Sequence, residues 1–99
     1  MKVKNFTMKI DDLMENPKNP RKIKKEDLQT LEKSLTEFPE MKEIREVVID
    51  ENNTILGGHQ RVAAMKSIGE TEVYVKQVIG LSEEQKDEFI IKDNVQSGS

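Results

Sequence analysis

A pair of adjacent glycines, Gly57 and Gly58, constrains this chain more than any other feature of its sequence. The apolar residues Ile55 and Leu56 precede the pair, and a helix-like run follows at residues 62–68. A short strand that passes through two glycines into a helix leaves the first backbone N–H groups of that helix without intrahelical partners. Without Cβ atoms an anion can approach these groups, and the helix dipole favours negative charge there. The sequence therefore predicts a phosphate site at this turn.

The side chains that follow the glycines fit the same prediction. Arg61 supplies a cation within the first turn of the helix, while His59 and Gln60 carry N–H donors at its start. We call residues 57–61 the glycine turn. All of its members are predicted to bind phosphate: Gly57, Gly58, His59, Gln60 and Arg61. The alternative is a turn that only reverses the chain, with Arg61 solvated and His59 a structural or surface residue.

A segment earlier in the chain concentrates positive charge. Between Asn16 and Lys25 it contains no acid, and its basic residues are Lys18, Arg21, Lys22, Lys24 and Lys25. Two Asn-Pro pairs make this segment a rigid, non-helical loop. Arg21 is predicted to reach the phosphate from the loop, because a guanidinium on a stiff backbone can bind phosphate through two parallel hydrogen bonds. Asn19 of the same loop is a further predicted phosphate-binding residue. For the lysines, a solvated run of charge is the alternative.

An acid and an amide stand side by side near the end of the chain, at Asp93 and Asn94. Carboxylate and amide oxygens are ligands that suit Mg²⁺. Both residues are therefore predicted metal ligands, and Asp93 is the predicted catalytic residue, which would hold the metal or orient an attacking water. In the alternative, the pair only forms a turn at a helix end.

Hydrophobic spacing predicts a single α/β (α+β) domain with a small mixed sheet and about three helices. Strands are predicted at residues 6–10, 46–50, 55–56 and 73–78. The first helix begins near Glu26, with Leu28, Leu31, Leu35 and Phe38 on its apolar face. The second helix directs Val62, Met65 and Ile68 inward, and the third follows a capping box at residues 82–85 and runs to about Lys92. Residues 1–96 are predicted to form the domain and residues 97–99 a linker or tail.

Composition excludes several classes of function. The net charge of −3 argues against binding nucleic acid through the overall field of the chain. The chain has no cysteine, which excludes disulfides, thiolate catalysis and cysteine-ligated zinc. Its apolar stretches are too short for a signal peptide or a membrane span, so a cytoplasmic location and no membrane partner are predicted.

The order of these motifs resembles the ParB/sulfiredoxin-like superfamily over residues 6–96. The shared features are Asn19-Pro20-Arg21, a leucine-lined helix, the glycine turn and the late acid-amide pair. Within the superfamily, the chain looks like the ParB-like N-terminal domain of phages and mobile elements, which is often fused to a DNA-modification methyltransferase. The resemblance implies a nucleotide phosphate site at the glycine turn, with Mg²⁺ and a nucleoside triphosphate, CTP or ATP, as cofactors.

The chain departs from the motifs of this superfamily at several positions. Partition-type members carry a glycine-glutamate-arginine-arginine motif. In this chain Gly58 and Arg61 match the first and last residues of that motif, whereas His59 and Gln60 replace its glutamate and its first arginine. Their later glutamate-asparagine-x-glutamine-arginine segment is similar to residues 93–97, where serine stands in place of the last arginine. Sulfiredoxins need a cysteine where this chain has His59, so sulfinic acid reduction is excluded. The lost arginine of the first motif leaves the choice between CTP and ATP open.

The leading hypothesis is a nucleotide-binding regulatory domain of a DNA-associated protein, with slow Mg²⁺-dependent hydrolysis of CTP or ATP. The resemblance also implies indirect contact with DNA, through a fused C-terminal domain, and self-association as a homodimer. Two alternatives stay open: a DNA-binding module without sequence preference or nucleotide chemistry, and a small kinase-like phosphotransferase. The acid-amide pair favours the nucleotide and kinase hypotheses, since a surface that only contacts DNA phosphates has no use for a metal-binding carboxylate.

Overall fold

The computed structural model describes residues 1–18 and 22–97, and the side chains of these residues as far as Asp93. Asn19 and Arg21, both predicted to bind phosphate, lie outside the described residues. The same holds for the side chain of Asn94, a predicted metal ligand.

The described residues form a mixed α/β domain built on one four-stranded sheet. The strands are β1 (Lys2–Lys9), β2 (Val47–Ile49), β3 (Ile55–Gly57) and β4 (Glu72–Ile79), in the spatial order β1-β4-β2-β3. β1 pairs antiparallel with β4, and β2 pairs antiparallel with β3, whereas β2 and β4 are parallel. The helices are α1 (Lys25–Glu37), α2 (Met41–Ile44), α3 (His59–Ser67) and α4 (Glu83–Ser97), and a 3₁₀ turn covers Ile10–Asp12.

The structure confirms the predicted fold class. It adds α2 to the three predicted helices, because a single helical turn is too short to show periodicity in the sequence. α4 also extends beyond Lys92, where the sequence pattern ended the third helix. Gly69 follows α3 with a φ of 85°, and the N–H groups of Gly69 and Glu70 donate to the carbonyls of Lys66 and Met65. This pattern is a Schellman motif, in which Gly69 ends the helix.

The hydrophobic core lies between one face of the sheet and the helices α1 and α3. We call this face the inner face and the opposite one the outer face. The core residues are Ile10, Leu13, Leu35, Val47, Ile49, Ile55, Val62, Ala64, Met65, Val73 and Val75. The predicted inward residues of α3 are confirmed, with Val62 and Met65 buried and Ile68 partly buried.

Two aromatic residues lie at the margin of the core, and one of them, Phe38, is more exposed than its predicted place on the apolar helix face implied. α1 ends at Glu37, so Phe38 leaves the helical face and is 47% exposed. Phe6 lies on β1, which is an edge strand with a neighbouring strand on one side only, and its side chain is 39% exposed. Ile10 is buried, but it lies in the 3₁₀ turn and not in the strand predicted over residues 6–10.

α4 packs against the β2–β3 hairpin through a partly polar stripe. Lys86 and Ile90 of α4 are buried, and Phe89 and Asp93 of the same face approach Gly57. The predicted capping box is present: Ser82 N–H donates to Gln85 Oε1 at 3.0 Å, and Gln85 N–H donates to Ser82 Oγ at 3.2 Å. Within the described ranges, no helix combines the length and apolarity needed to cross a membrane.

The Lys86 ammonium joins α4 to the hairpin. Its Nζ lies 3.2 Å from Asp50 Oδ2 and 3.2 Å from Glu51 Oε1. Burial alone would lower the pKa of Lys86, but hydrogen bonds to these two carboxylates raise it above its ordinary value. The other oxygen of Asp50 accepts the backbone N–H groups of Asn52 and Thr54 at 2.8 and 3.0 Å. One buried carboxylate therefore shapes the hairpin turn and anchors the helix.

Candidate functional site

The glycine turn joins β3 to α3 without an intervening loop. Gly58 has a φ of 93° and a ψ of 20°, a left-handed conformation that favours glycine. The N–H of Val62 donates to the carbonyl of Gly58 at 2.9 Å, closing the first hydrogen-bonded turn. The N–H groups of the preceding helical residues therefore have no intrahelical acceptor and point out of the helix start. This arrangement is the open helix start that the sequence predicted, and the binding of an anion to it stays a prediction.

A β-bulge sets the position of Gly57. Val48 pairs with Gly57, but Ile49 pairs with Ile55, so Leu56 is an extra residue in β3. The bulge places Gly57 opposite Val48. Val47 and Ile49, on either side of Val48, belong to the inner-face core, so Val48 faces the outer side because side chains alternate along a strand. Gly57 consequently faces the outer side of the sheet, where α4 packs.

The structure brings Asp93 to the glycine turn. A Cβ atom on Gly57 would lie 3.1 Å from Asp93 Oδ2 and 3.0 Å from Phe89 Cε1. The bare backbone of Gly57 thus allows the carboxylate of α4 to lie close to the start of α3. Asp93 is separated from the turn in sequence, but it is in place to act beside a phosphate bound there. Its catalytic and metal-binding roles stay predictions.

Arg61 lies in a charged cleft of about 210 Å³ on the outer side of the turn. We call it the arginine cleft; its lining residues are Ile44, Arg45, Glu46, Val48, Arg61, Lys76 and Asp93. The Arg61 Nη2 group donates to the carbonyl of Glu46 at 3.4 Å. Its Nε atom is buried and has no hydrogen-bond acceptor within the described part of the chain. An oxyanion in this cleft would supply the missing acceptor.

The charges around Arg61 also favour an anion. Burial, followed by the repulsion of Arg45, lowers the pKa of Arg61, and the Asp93 carboxylate partly offsets both effects. A guanidinium nevertheless stays charged at neutral pH. Lys76 is paired with Glu46 at 3.5 Å. Two like-charged arginines beside one aspartate make a site that a bound phosphate would stabilise.

His59 faces a second cleft, of about 300 Å³, on the other side of α3. We call it the histidine cleft; it is lined by Glu15, Asn16, Lys22, Ile55, His59, Val62, Ala63 and Lys66. The Asn16 amide donates to the carbonyl of Ile55 at 3.1 Å and accepts the N–H of Lys18 at 3.0 Å, which fixes one wall. The Nε2 atom of His59 is buried and has no hydrogen-bond partner among the described residues.

The surroundings of His59 favour its neutral imidazole. Burial lowers the pKa of His59. A hydrogen bond to the backbone of Ile55 raises it, as do the carboxylates of Asp93 and Glu15, but these effects are smaller than that of burial. Since Nε2 has no hydrogen-bond partner among the described residues, the ring nitrogen that is hydrogen-bonded to the backbone of Ile55 is Nδ1. A neutral ring that donates through Nδ1 presents Nε2 as an acceptor.

We expect this lowered pKa to make the stability of the chain depend on pH. A histidine whose folded pKa lies below its unfolded value of about 6.5 binds protons more readily in the unfolded chain. Its contribution is fully present above the unfolded pKa and is lost as the pH falls towards the folded pKa. The free energy of unfolding should therefore fall as the pH drops below about 6.5, the unfolded pKa of the chain's single histidine, towards its lower folded pKa.

Urea titrations of the wild-type chain and of His59→Gln across this pH range measure the effect. The substituted chain should lose most of the slope in this window. Equal slopes for both chains would contradict the assignment of the pKa shift to His59.

The structure separates the members of the predicted basic loop. Lys18 Nζ lies 3.0 Å from Asp87 Oδ1, so this lysine is tied to α4 and not to the glycine turn. Lys22 lines the histidine cleft, whereas Lys24 and Lys25 are exposed, which agrees with the alternative of a solvated charge run for these two. Gln60 lies half-buried in the first turn of α3.

Most lining residues of the two clefts were not among the predicted site residues, and three charged ones illustrate why. Arg45 follows α2, Lys76 lies on β4, and Glu15 stands before the basic loop. In the sequence they are ordinary charged residues of a highly charged chain. Only the parallel pairing of β2 with β4 and the packing of α2 bring the first two beside Arg61, so no local pattern indicated them.

The sequence matches the family model of the ParB N-terminal domain over residues 2–95. Among curated proteins, none matches it. A solved structure of a Pnob8-like ParB-N domain is similar, with a TM-score of 0.74 and 23% identity over 98% of this chain and 37% of that chain.

Two solved structures of the C-terminally truncated chromosome-partitioning protein ParB from Caulobacter crescentus are also similar. The complex with CTP-gamma-S has a TM-score of 0.76 and 24% identity, and covers 94% of this chain and 53% of that chain. The complex with the centromeric parS site has a TM-score of 0.71 and 24% identity, and covers 92% of this chain and 47% of that chain. The chain thus spans between 37% and 53% of the length of these solved proteins, and the likeness shows a common fold.

Proposed function

The chain belongs to the ParB N-terminal domain family, and from this membership and the geometry above we propose that it is a nucleotide-binding regulatory domain of a DNA-associated protein. The observation that carries the proposal is the glycine turn, with open N–H groups at the start of α3 and Arg61 beside them. CTP is the first candidate ligand, because a protein of the same fold has been solved with CTP-gamma-S. ATP is the second.

The triphosphate would lie across the start of α3 and extend into the arginine cleft. Backbone N–H groups at a helix start bind phosphate oxygens without adding a side-chain charge. Arg61, whose buried Nε has no acceptor within the described chain, would bind a phosphate oxygen directly. The nearby guanidinium of Arg45 would offset further negative charge of the ligand.

The described residues fit Mg²⁺ that arrives with the nucleotide. No group of three or more histidine, aspartate and glutamate side chains within the described chain could hold a metal ion by itself. Mg²⁺ is commonly bound through one or two carboxylates together with substrate phosphates. Asp93, next to Gly57, would be the protein ligand and Asn94 its neighbour in the same role. When bound, the metal would neutralise phosphate charge.

The experiment that tests the proposal is calorimetric titration with CTP and ATP in the presence of Mg²⁺. A charge-assisted contact contributes about 1.5–3 kcal/mol, so Arg61→Ala should weaken nucleotide affinity roughly tenfold to hundredfold. Lys24→Ala removes an exposed cation that lines neither cleft and should leave the affinity nearly unchanged. A folded Arg61→Ala chain that binds as tightly as the wild type would contradict the proposed placement.

We propose slow triphosphate hydrolysis as the accompanying activity, with Asp93 orienting the attacking water. Asp93→Ala should lower phosphate release at least tenfold while the chain still binds nucleotide. The assay measures released phosphate and nucleotide binding on the same preparations. Full activity in the variant would remove Asp93 from the mechanism, and absence of activity in the wild-type chain would leave a binding domain only.

The proposed setting of the domain follows from the same family membership. DNA contact would be indirect, through a further domain, and the domain would form homodimers in the cytoplasm. The similar Caulobacter protein was solved complexed to the parS site, which supports a DNA-associated role. We further propose the phage and methyltransferase-associated type within the family, on the basis of the glycine-glycine-histidine-glutamine-arginine sequence of the turn.

A further inference from the structure

The strand β1 forms an edge of the sheet that is open along its whole length. It pairs with β4 over all eight of its residues without a bulge, and no described residue adds a strand on its other side. In an antiparallel pair, alternate residues direct both their N–H and their C=O away from the neighbouring strand. Seven of the eight residues of β1 are exposed. We call this row of backbone donors and acceptors, which no other strand pairs, the free edge of β1.

Apolar side chains accompany the free edge on both faces of the sheet. Phe6 lies opposite Val75 on the inner face and is 39% exposed. Val3 lies opposite Val78 on the outer face and is 46% exposed, because side chains alternate along the strand. The neighbouring strand covers one side of each of these side chains, and a further strand would cover the other. The backbone groups and the apolar surface therefore favour the same kind of occupant.

The charge of β1 determines which kind of strand pairs best with it. Lys2, Lys4 and Lys9 are exposed, and none of them forms a salt bridge within the described residues. β1 contains no acid, although the whole chain has a net charge of −3. Opposite charges that face each other on neighbouring strands stabilise the pairing, and like charges destabilise it. The free edge is therefore complementary to an acidic strand.

Two other occupants fit the free edge less well. If two copies of β1 paired antiparallel over all eight residues, Lys2 of one copy would lie opposite Lys9 of the other. This repulsion disfavours a second copy, and edge lysines commonly protect sheets from such self-pairing. The phosphate backbone of a nucleic acid accepts hydrogen bonds but does not donate them, so the carbonyl groups of the free edge would stay unpaired.

We propose that the free edge of β1 is a docking site for an acidic, extended segment of a partner protein, which joins the sheet as a fifth strand. Backbone hydrogen bonds provide the affinity, and the three lysines of β1 favour carboxylates opposite them. β1 lies at the opposite edge of the sheet from β3, which leads into the glycine turn. The docking site is thus separate from both clefts and does not depend on nucleotide binding.

Hydrogen exchange of the whole chain, measured by NMR with a synthetic peptide, tests the proposal. The peptide is acetyl-Glu-Val-Thr-Val-Thr-Glu-Val-Glu-amide, whose glutamates lie opposite Lys9, Lys4 and Lys2 when it is aligned antiparallel with β1. At saturation, the β1 amides that point away from β4 should exchange at least about tenfold more slowly. The amides that already pair with β4 should change little. The same peptide with lysine in place of glutamate should give no protection, and equal protection by it would overturn the role of charge.

Two N-methylated forms of the acidic peptide separate strand addition from attraction between charges. Methyl groups on one set of alternate backbone nitrogens block the hydrogen bonds to β1, whereas methyl groups on the other set point away from it. Both forms keep all three glutamates. One form should therefore fail to protect β1, and the other should protect it as the parent peptide does. Equal effects of the two forms would overturn strand addition.

Lys4→Glu should weaken the affinity for the acidic peptide roughly fivefold, because it replaces an attractive cross-strand pair with a repulsive one. Lys24→Glu is the matched control, since it changes the net charge equally at an exposed residue outside β1. It should bind the peptide as the wild type does, and circular dichroism verifies that both variants are folded. Equal losses in the two variants would overturn the role of β1. Duplex DNA in place of the peptide should leave the exchange of the β1 amides unchanged, and protection by DNA would overturn the assignment to a protein strand.

Discussion

Replacing Lys86 with methionine is expected to lower the free energy of unfolding by about 3 kcal/mol, because removal of one partner leaves a buried charge without its counter-charge. The stranded group is Asp50, which is 4% exposed. Methionine preserves most of the side-chain volume, so the loss measures the ion pair and not a cavity. Urea denaturation followed by circular dichroism gives the value.

Lys92→Met provides the control for this prediction. Lys92 lies on the same helix and is paired with Glu88 at 2.8 Å, but both side chains are more than half exposed. An exposed pair of this kind contributes less than about 1 kcal/mol, so this variant should unfold almost as the wild type does. Similar losses in the two variants would show that the buried pair does not anchor α4.

Replacing Gly58 with alanine is expected to weaken nucleotide affinity by at least about a hundredfold, more than the loss of the Arg61 side chain alone. The φ of 93° at this position is one that alanine adopts only with strain, and the new Cβ would lie 2.9 Å from Arg61 Nη2. The substitution would therefore displace the guanidinium and place a methyl group beside the open N–H groups. Calorimetry with CTP and Mg²⁺ measures the loss.

Gly69→Ala is the matched control, because it separates backbone strain from the site. Gly69 has a φ of 85°, and a Cβ there would meet no atom within 4 Å. Both variants should lose similar stability, about 1–2 kcal/mol, from the left-handed backbone. Only Gly58→Ala should lose nucleotide affinity. An equal loss of affinity in both would mean that general destabilisation, and not the local geometry, causes it.

The glycine turn was predictable because its signal is local. A strand, two glycines and a helix follow one another without interruption, so the sequence alone indicated the conformation and the open N–H groups. Arg61 belongs to the same helix and was therefore predicted with it. The capping box before α4 and the end of α3 at Gly69 were predictable for the same reason.

The rest of the candidate site depends on contacts between distant parts of the chain. The approach of Asp93 to Gly57 depends on the bulge at Leu56 and on Lys86, a charged residue on the buried stripe of α4. With a lysine at such a position, the buried face of the helix does not stand out in the sequence as an apolar stripe. The position of Arg45 beside Arg61 depends on α2, a helix of only one turn. These features became visible only in the packed structure.

The central claim is that the glycine turn binds nucleotide phosphate, and an NMR titration of the backbone amides with CTP and Mg²⁺ tests it most directly. The amide signals of His59, Gln60 and Arg61 should show the largest shifts, and tripolyphosphate should shift the same three signals. Saturable binding of CTP with these amides unmoved, and with the largest shifts elsewhere in the chain, would contradict the claim.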